Sequence, residues 1–309
     1  MRSSESRFAT SDGKSVFLHS WFPETAPKAV LLIAHGLAEH AARYARLARS
    51  LADSGWAVYA PDHRGHGRTA TPDTLGRFPS QDGFRRVRDD LVELHGNAES
   101  AHPGLPVFLM GHSMGSLIAL SSLVPLGTKI SGCVLSGVLA PPHPALAAIG
   151  SALASLGGFF KGEHTLSPLL DKMTMGSSNN LFRPARTPFD WLSREEAEVD
   201  AYISDPLCGF TCSFGLYRQL LQGFSMAYGG KDPFAGVPRT LPIYIFAGSK
   251  DPLGGALGFV GELEARFKAL GFVDLESRVY DGARHETLNE INKEEVAFDL
   301  RAWLESRVA

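Results

Sequence analysis

The sequence predicts an α/β protein, a mainly parallel sheet flanked by helices and interrupted by one helical insertion. Three observations predict it. Short apolar runs of strand length alternate with segments of helical periodicity over most of the chain, the pattern of a sheet covered on both faces. Several of these runs are almost wholly apolar, as strands buried on both faces are. Between residues 141 and 213 the alternation stops, and helical patches broken by Pro168, Pro184, Pro188 and Pro206 replace it. At 309 residues and 44% hydrophobic the chain can bury one large core, and disorder is excluded as its main state.

Taken in order, residues 16–22 (VFLHSWF) and 28–34 (KAVLLIA) flank a proline-bearing turn and read as a strand pair. The second run ends in His35-Gly36-Leu37-Ala38-Glu39-His40, a loop that leads into a helix at about 42–54. Residues 56–60 (WAVYA) are a further buried strand, which ends in PDHRGHG. From 82 to about 100, Phe84, Val87, Leu91 and Leu94 recur at spacings of three and four, which predicts an amphipathic helix. The run 107–110 (VFLM) passes through Gly111-His112-Ser113-Met114-Gly115 directly into helical periodicity, and residues 129–137 are the next strand. The segment 141–213 has too many breakers for a core of its own and reads as a helical cap, or lid, inserted into a core built from 1–140 and 214–309. Alternation then resumes with a helix at 214–227, a strand at 241–248, a helix at 257–269, a strand at 273–280 and a last helix at 293–307.

The pattern Gly-x-Ser-x-Gly at 111–115 carries chemistry only in context, because a chain with 32 glycines matches it easily by chance. Here it lies between a strand and a helix, where a strained turn exposes the apex serine and small neighbours let the two elements approach. Ser113 is therefore the candidate nucleophile. A serine hydroxyl needs a general base, and the base needs a partner that fixes its tautomer and offsets its charge. Two later strand ends supply them, at the edge where ligands meet a parallel sheet: Asp251 after residues 241–248, and His285 after residues 273–280. Asp281 and Asp232 compete with Asp251, which is favoured because a residue on a separate strand end can reach the far side of the imidazole. Among the other histidines, His35, His63 and His66 sit in glycine-bearing loops and read as shaping them, while His112 points sideways from Ser113. Backbone amides of Leu37 and Met114 are placed to receive an oxyanion, with Gly36 permitting the turn that aims the first.

Composition narrows the partners. A net charge of −3 and a pI near 6.4 give no counterion-releasing nucleic-acid surface, and small neutral or mildly charged substrates fit better. No cofactor is implied, and no metal: His285-Glu286 is followed by Asn289 where H-E-x-x-H requires a second ligand. Cys133, Cys208 and Cys212 are too few for a disulfide framework; a Cys208–Cys212 bridge needs closely placed Cα atoms, and reduced thiols are favoured. The polar first residues lead into no apolar signal region, so a cytoplasmic protein is expected. The apolar stretch 144–160 falls short of the roughly 20 residues a bilayer crossing needs, and is read as part of the cap.

With these residues in hand, the chain resembles the α/β-hydrolase superfamily, and more narrowly its monoacylglycerol lipase and lysophospholipase-like group, classed with the serine aminopeptidases. The resemblance rests on HGLAEHAARY (35–44), PDHRGHGRT (61–69), GHSMG (111–115), YISDPL (202–207), GSKDPL (248–253) and GARHETLNE (282–290), and spans nearly the whole chain. It implies the α/β-hydrolase fold, a triad of Ser113, Asp251 and His285, an oxyanion hole at Leu37 and Met114, and ester hydrolysis through an acyl-enzyme. A lipid or other small-molecule ester is the implied substrate. In lipases of the group the cap is a membrane-docking portal to an acyl tunnel; by that likeness Leu156, Phe159, Phe160 and Leu169 are expected to line an acyl pocket. Peripheral membrane contact through the cap and simple packing of a helix on the sheet domain both remain open. Two other readings stand beside the esterase: an aminopeptidase whose Glu195, Glu196 and Glu198 hold a free amine, and a catalytically silent binding protein.

Overall fold

The computed structural model describes residues 1–308. Its elements in chain order are β1 (Arg2–Ala9), β2 (Ser15–Phe22), β3 (Ala29–Ala34), α1 (Ala45–Asp53), β4 (Trp56–Pro61), α2 (Gly83–Ala101), β5 (Val107–His112), α3 (Met114–Leu126) and β6 (Gly132–Ser136). Then follow α4 (Pro144–Lys161), α5 (Pro168–Met173), α6 (Met175–Ser178), α7 (Glu196–Ser204), α8 (Phe214–Tyr228), β7 (Ile243–Gly248), α9 (Phe259–Ala269), β8 (Leu275–Tyr280) and α10 (Lys293–Glu305). The strands form one sheet in the order β1-β2-β4-β3-β5-β6-β7-β8. From β4 to β8 every neighbouring pair is parallel, and β2 alone runs against the others, antiparallel to both β1 and β4.

The order corrects the expected strand pair: β2 and β3 are not neighbours, because β4 lies between them. All six residues of β3 are buried, so it belongs in the sheet interior with a parallel partner on each edge, which β4 and β5 provide. The sequence reading also passed over β1. Its residues, RSSESRFA, have no apolar periodicity, and the strand exists because its backbone pairs along its whole length with β2.

Alternation along the central strands divides the core in two. Val30, Leu32 and Ala34 of β3 and Leu109 of β5 face one layer with residues of α2, α3, α8 and α9; Leu31 and Ile33 of β3 and Phe108 and Met110 of β5 face another with α1 and α10. Segment 141–213 runs between β6 and α8, and among the described residues it contains helices and one isolated bridge, Leu166–Ser213, but no strand. Its longest helix, α4, lies on α8 so closely that a Cβ on Gly157 would meet the Phe214 ring at 2.3 Å. The three cysteines are free and buried.

Of the loop histidines, His35 and His66 bond into their loops through their rings, and His63 takes part through its backbone amide. His35 Nδ1 lies 2.8 Å from Gly36 O, His35 Nε2 accepts from His63 N at 3.0 Å, and His66 Nδ1 lies 3.0 Å from Arg64 O. Burial holds them neutral, pushing His63 down to about 3 and His66 to about 4 from an ordinary value of 6.5. An unfolded chain takes up these protons at a higher pH than the folded one, so this contribution to stability is intact above pH 6.5 and declines as pH falls toward 4. The thermal midpoint should therefore drop progressively across that window, and a midpoint level from pH 7 to 4 would contradict the assignment.

Candidate active site

β5 delivers the chain into a turn that only small residues can make. Ser113 sits at φ 54 and ψ −120, in a backbone region costly for any residue with a Cβ. The flanking glycines are fixed by contact: a Cβ on Gly111 would lie 2.1 Å from Gly115 O, and one on Gly115 would lie 2.0 Å from Ala34 O. Ser113 N donates to Ser136 O at 3.0 Å, and Ser113 O accepts from Ser116 Oγ at 2.6 Å, so the strained turn is tied on both sides.

Asp251 follows β7 and His285 follows β8, and both are buried. Asp251 Oδ1 lies 3.0 Å from His285 Nδ1 and also accepts from Leu253 N at 2.9 Å. The competitors are elsewhere: Asp281 accepts from Ser249 Oγ, and Asp232 pairs with Arg239. Burial alone would lower the His285 imidazole, but the Asp251 carboxylate outweighs it, with Glu286 and Glu39 adding, and the group titrates above the ordinary histidine value. The neighbouring His112 is different. Its ring lies 4.8 Å from that of His285, and burial together with His285 pushes it down to about 4. One imidazole of the pair is thus disposed to hold a proton and the other to stay neutral. Ser113 and His285 line the same cavity without a hydrogen bond between them.

Leu37 and Met114 line that cavity too. Met114 opens α3, so its N–H is one of the first-turn amides with no acceptor inside the helix. Gly36 lets the preceding loop pass close to the serine, since a Cβ there would meet Glu39 Oε1 at 2.7 Å and Ser113 Cβ at 3.2 Å. The loop is pinned by groups to which sequence reasoning gave no role. Glu39 accepts from Gly36 N, from Tyr44 Oη at 2.9 Å and from Arg43 at 2.7 Å; Arg43 also grips Glu286 with two bonds of 2.6 and 2.7 Å. Burial favours a protonated Glu286, but the Arg43 guanidinium prevails and holds it at about 2. Glu39, Arg43 and Glu286 are visible in the sequence as letters, but Arg43 and Glu286 lie 243 positions apart and nothing local marks their pairing.

The cavity has a volume of about 360 Å³. Its apolar wall comes from Leu146, Ala147 and Gly150 of α4, Leu170 and Met173 of α5, and Leu220, Leu221 and Phe224 of α8. The expected pocket residues are not among its lining. Leu156, Phe159, Phe160 and Leu169 point outward, 56%, 82%, 76% and 58% exposed. The helical repeat explains the correction: the buried positions of α4 are Ala154 and Gly158, four apart on one face, which carries residues 156, 159 and 160 to the opposite side. The acids Glu195, Glu196 and Glu198 are also absent from the lining; Glu198 pairs with Arg46 and Lys293, Glu195 with Lys293, and Glu196 with Arg186.

A family model described as serine aminopeptidase, S33, matches residues 25–292. The chain is 31% identical to the monoglyceride lipase of Homo sapiens over 304 residues, covering 96% of this chain and 89% of that protein. It is 29% identical to the monoacylglycerol lipase of Mycolicibacterium smegmatis over 309 residues, covering 99% and 98%. Among solved structures, a thermostable carboxyl esterase from Bacillus coagulans in complex with glycerol superposes with a TM-score of 0.90 at 26% identity over the full length of both chains.

Two outcomes are expected of the geometry. With His285 as a base that works deprotonated, kcat/KM should rise with pH along a limb above the ordinary histidine value. Asp251→Asn should move that limb downward and lower kcat on the order of 10³–10⁴-fold; a limb unmoved by the substitution would separate the two residues. Gly115→Ala should cost several kcal/mol, about 3 or more, in denaturant unfolding, since the Ala34 carbonyl occupies the methyl's place.

Proposed function

The chain belongs to the serine aminopeptidase S33 family and is a serine ester hydrolase of the monoacylglycerol lipase type; from that premise we propose that it cleaves monoacylglycerols and similar single-chain esters through an acyl-enzyme on Ser113. The observation that carries this reading is the Asp251–His285 pair, set beside a strained serine at the wall of an apolar cavity closed by helices α4, α5 and α8. In the proposed reaction Ser113 Oγ attacks the ester carbonyl and its proton passes to His285 Nε2, while Asp251 holds Nδ1–H and offsets the positive charge. The oxyanion is received by the amides of Leu37 and Met114. Collapse of the tetrahedral intermediate expels the alcohol, which takes the proton from Nε2. Water then repeats the sequence on the acyl-enzyme and frees the fatty acid.

The residues 141–213 act in this reading as a cap. Helix α4 is 18 residues long, apolar enough by composition to cross a membrane, and only its Ala154 and Gly158 are buried. Its exposed Leu156, Phe159 and Phe160, with Leu169 of α5 beside them in sequence, suit shallow insertion into a lipid surface, from which an acyl chain would enter the cavity. The aminopeptidase reading is disfavoured by the cavity's own acids. Glu39 and Glu286 are both committed to Arg43, so neither is free to hold a substrate ammonium.

Assay of a chain-length series of monoacylglycerols and p-nitrophenyl esters, with an amino-acyl anilide alongside, tests the proposal. Ester turnover should be abolished in Ser113→Ala, and the anilide should be a poor substrate. Retained turnover in that variant, or an anilide preferred over every ester, would refute it.

A further inference from the structure

The loop that carries His285 is also held by a carboxylate to which the proposed reaction gives no role. Glu290 is 0% exposed, yet both its oxygens are filled by donors from two separate stretches of chain. Oε1 accepts from Arg194 N at 3.0 Å and Arg284 N at 2.9 Å; Oε2 accepts from Arg194 Nε at 2.8 Å and Ile291 N at 3.0 Å. Arg194 ends a strap, residues 190–194, that lies along the His285 loop. His285 N donates to Trp191 O at 3.3 Å, Glu286 N donates to Leu192 O at 2.8 Å, and Ser193 Oγ donates to Asn289 O at 2.8 Å. Arg284 donates to the carbonyls of Asp190 and Ser193, and the Trp191 ring lies 5.1 Å from the imidazole. The strap comes from segment 141–213, whose other helices wall the cavity.

We propose that Glu290 is a positioning residue: by binding Arg194 on one side and the amides of Arg284 and Ile291 on the other, it locks the strap onto the His285 loop and sets where the imidazole stands relative to Ser113. The proposal rests on His285 being the base. A buried carboxylate with four donors has no spare lone-pair direction for solvent, so its bonds define a single placement of the loop. Removing the charge while keeping the shape leaves donors facing an amide NH2, and the loop must move to relieve the conflict. Reaction rates are steep in such displacements, because a shift near 1 Å in a reacting group costs on the order of 10²-fold.

Glu290→Gln and Arg194→Met are to be compared with the parent on a short-chain p-nitrophenyl ester across pH, with thermal midpoints measured in parallel. The expected result is a fall in kcat of tenfold or more in Glu290→Gln with KM changed less than about threefold, and a pH limb displaced toward the ordinary histidine value as the Asp251–His285 pair loosens. Arg194→Met should give a smaller loss in the same direction, with Arg194→Lys partly restoring it. A lowered thermal midpoint with kcat and the pH limb unchanged would show that Glu290 only stabilises the fold, and would overturn the proposal; if Glu290→Gln does not fold, the Arg194 pair decides on the same criteria. An active His285→Ala enzyme would instead overturn the role of His285, so the two failures are distinct.

Discussion

The distance between one carbonyl oxygen and one α-carbon governs this molecule. Ala34 O, at the end of β3, occupies the space that a side chain at position 115 would need, so β3, β5 and α3 meet with nothing but backbone between them. That contact brings the amide-bearing loop after β3 beside the serine at the tip of β5. It also sets the start of α3, whose first residue, Met114, lines the same cavity. The backbone strain at Ser113 is held by the surrounding hydrogen bonds, as strained residues at reactive sites commonly are.

Around this contact the site is assembled from charges that a protein interior normally rejects. Glu39, Arg43, Glu286 and Glu290 sit within two loops, and each acid is matched by a guanidinium or by backbone amides. Such groups add little to net stability compared with apolar replacements, but loss of one partner strands the other, at about 3–5 kcal/mol. Their value is geometric. Arg43 joins the loop after β3 to the residue following His285, and Glu290 joins the same histidine loop to the strap at 190–194. The candidate base is therefore fixed from two directions in addition to its bond with Asp251.

The sheet domain was largely legible in the sequence because its strands are buried on both faces and end in loops with distinctive glycines. Period and composition place the apolar strands from β2 to β7, and the order of Ser113, Asp251 and His285 along the chain follows from asking which strand ends a base and an acid need. Three things were hidden. Strand β1 owes its existence to pairing rather than to its own residues, so RSSESRFA carries no local sign of it. The neighbour of β3 depends on crossover connections, not on the short turn that links it to β2. The buried positions of α4 are Ala154 and Gly158, whereas Leu146, Leu156, Phe159 and Phe160 are exposed; a reading that equates large apolar residues with a buried face passes over the small ones that are covered. The buried acids were visible as letters, but their partners lie up to 243 positions apart, and nothing local marks the pairing.

The outermost strands have a consequence for how copies of this protein meet. A sheet of eight strands ends in two rows of backbone groups, each a template on which a neighbouring chain could add a strand and begin an aggregate. Both rows are defended by charge. β1 carries Arg2, Glu5 and Arg7, with Glu5 bound to Arg68; β8 carries Glu276 and Arg278, with Arg278 bound to Glu295 and Asp299. Extending the sheet at either end would mean bringing these ions against those of another copy. Charge on both outer strands thus works against polymerisation through the sheet edges, while the exposed Leu156, Phe159 and Phe160 of α4 lie on no strand.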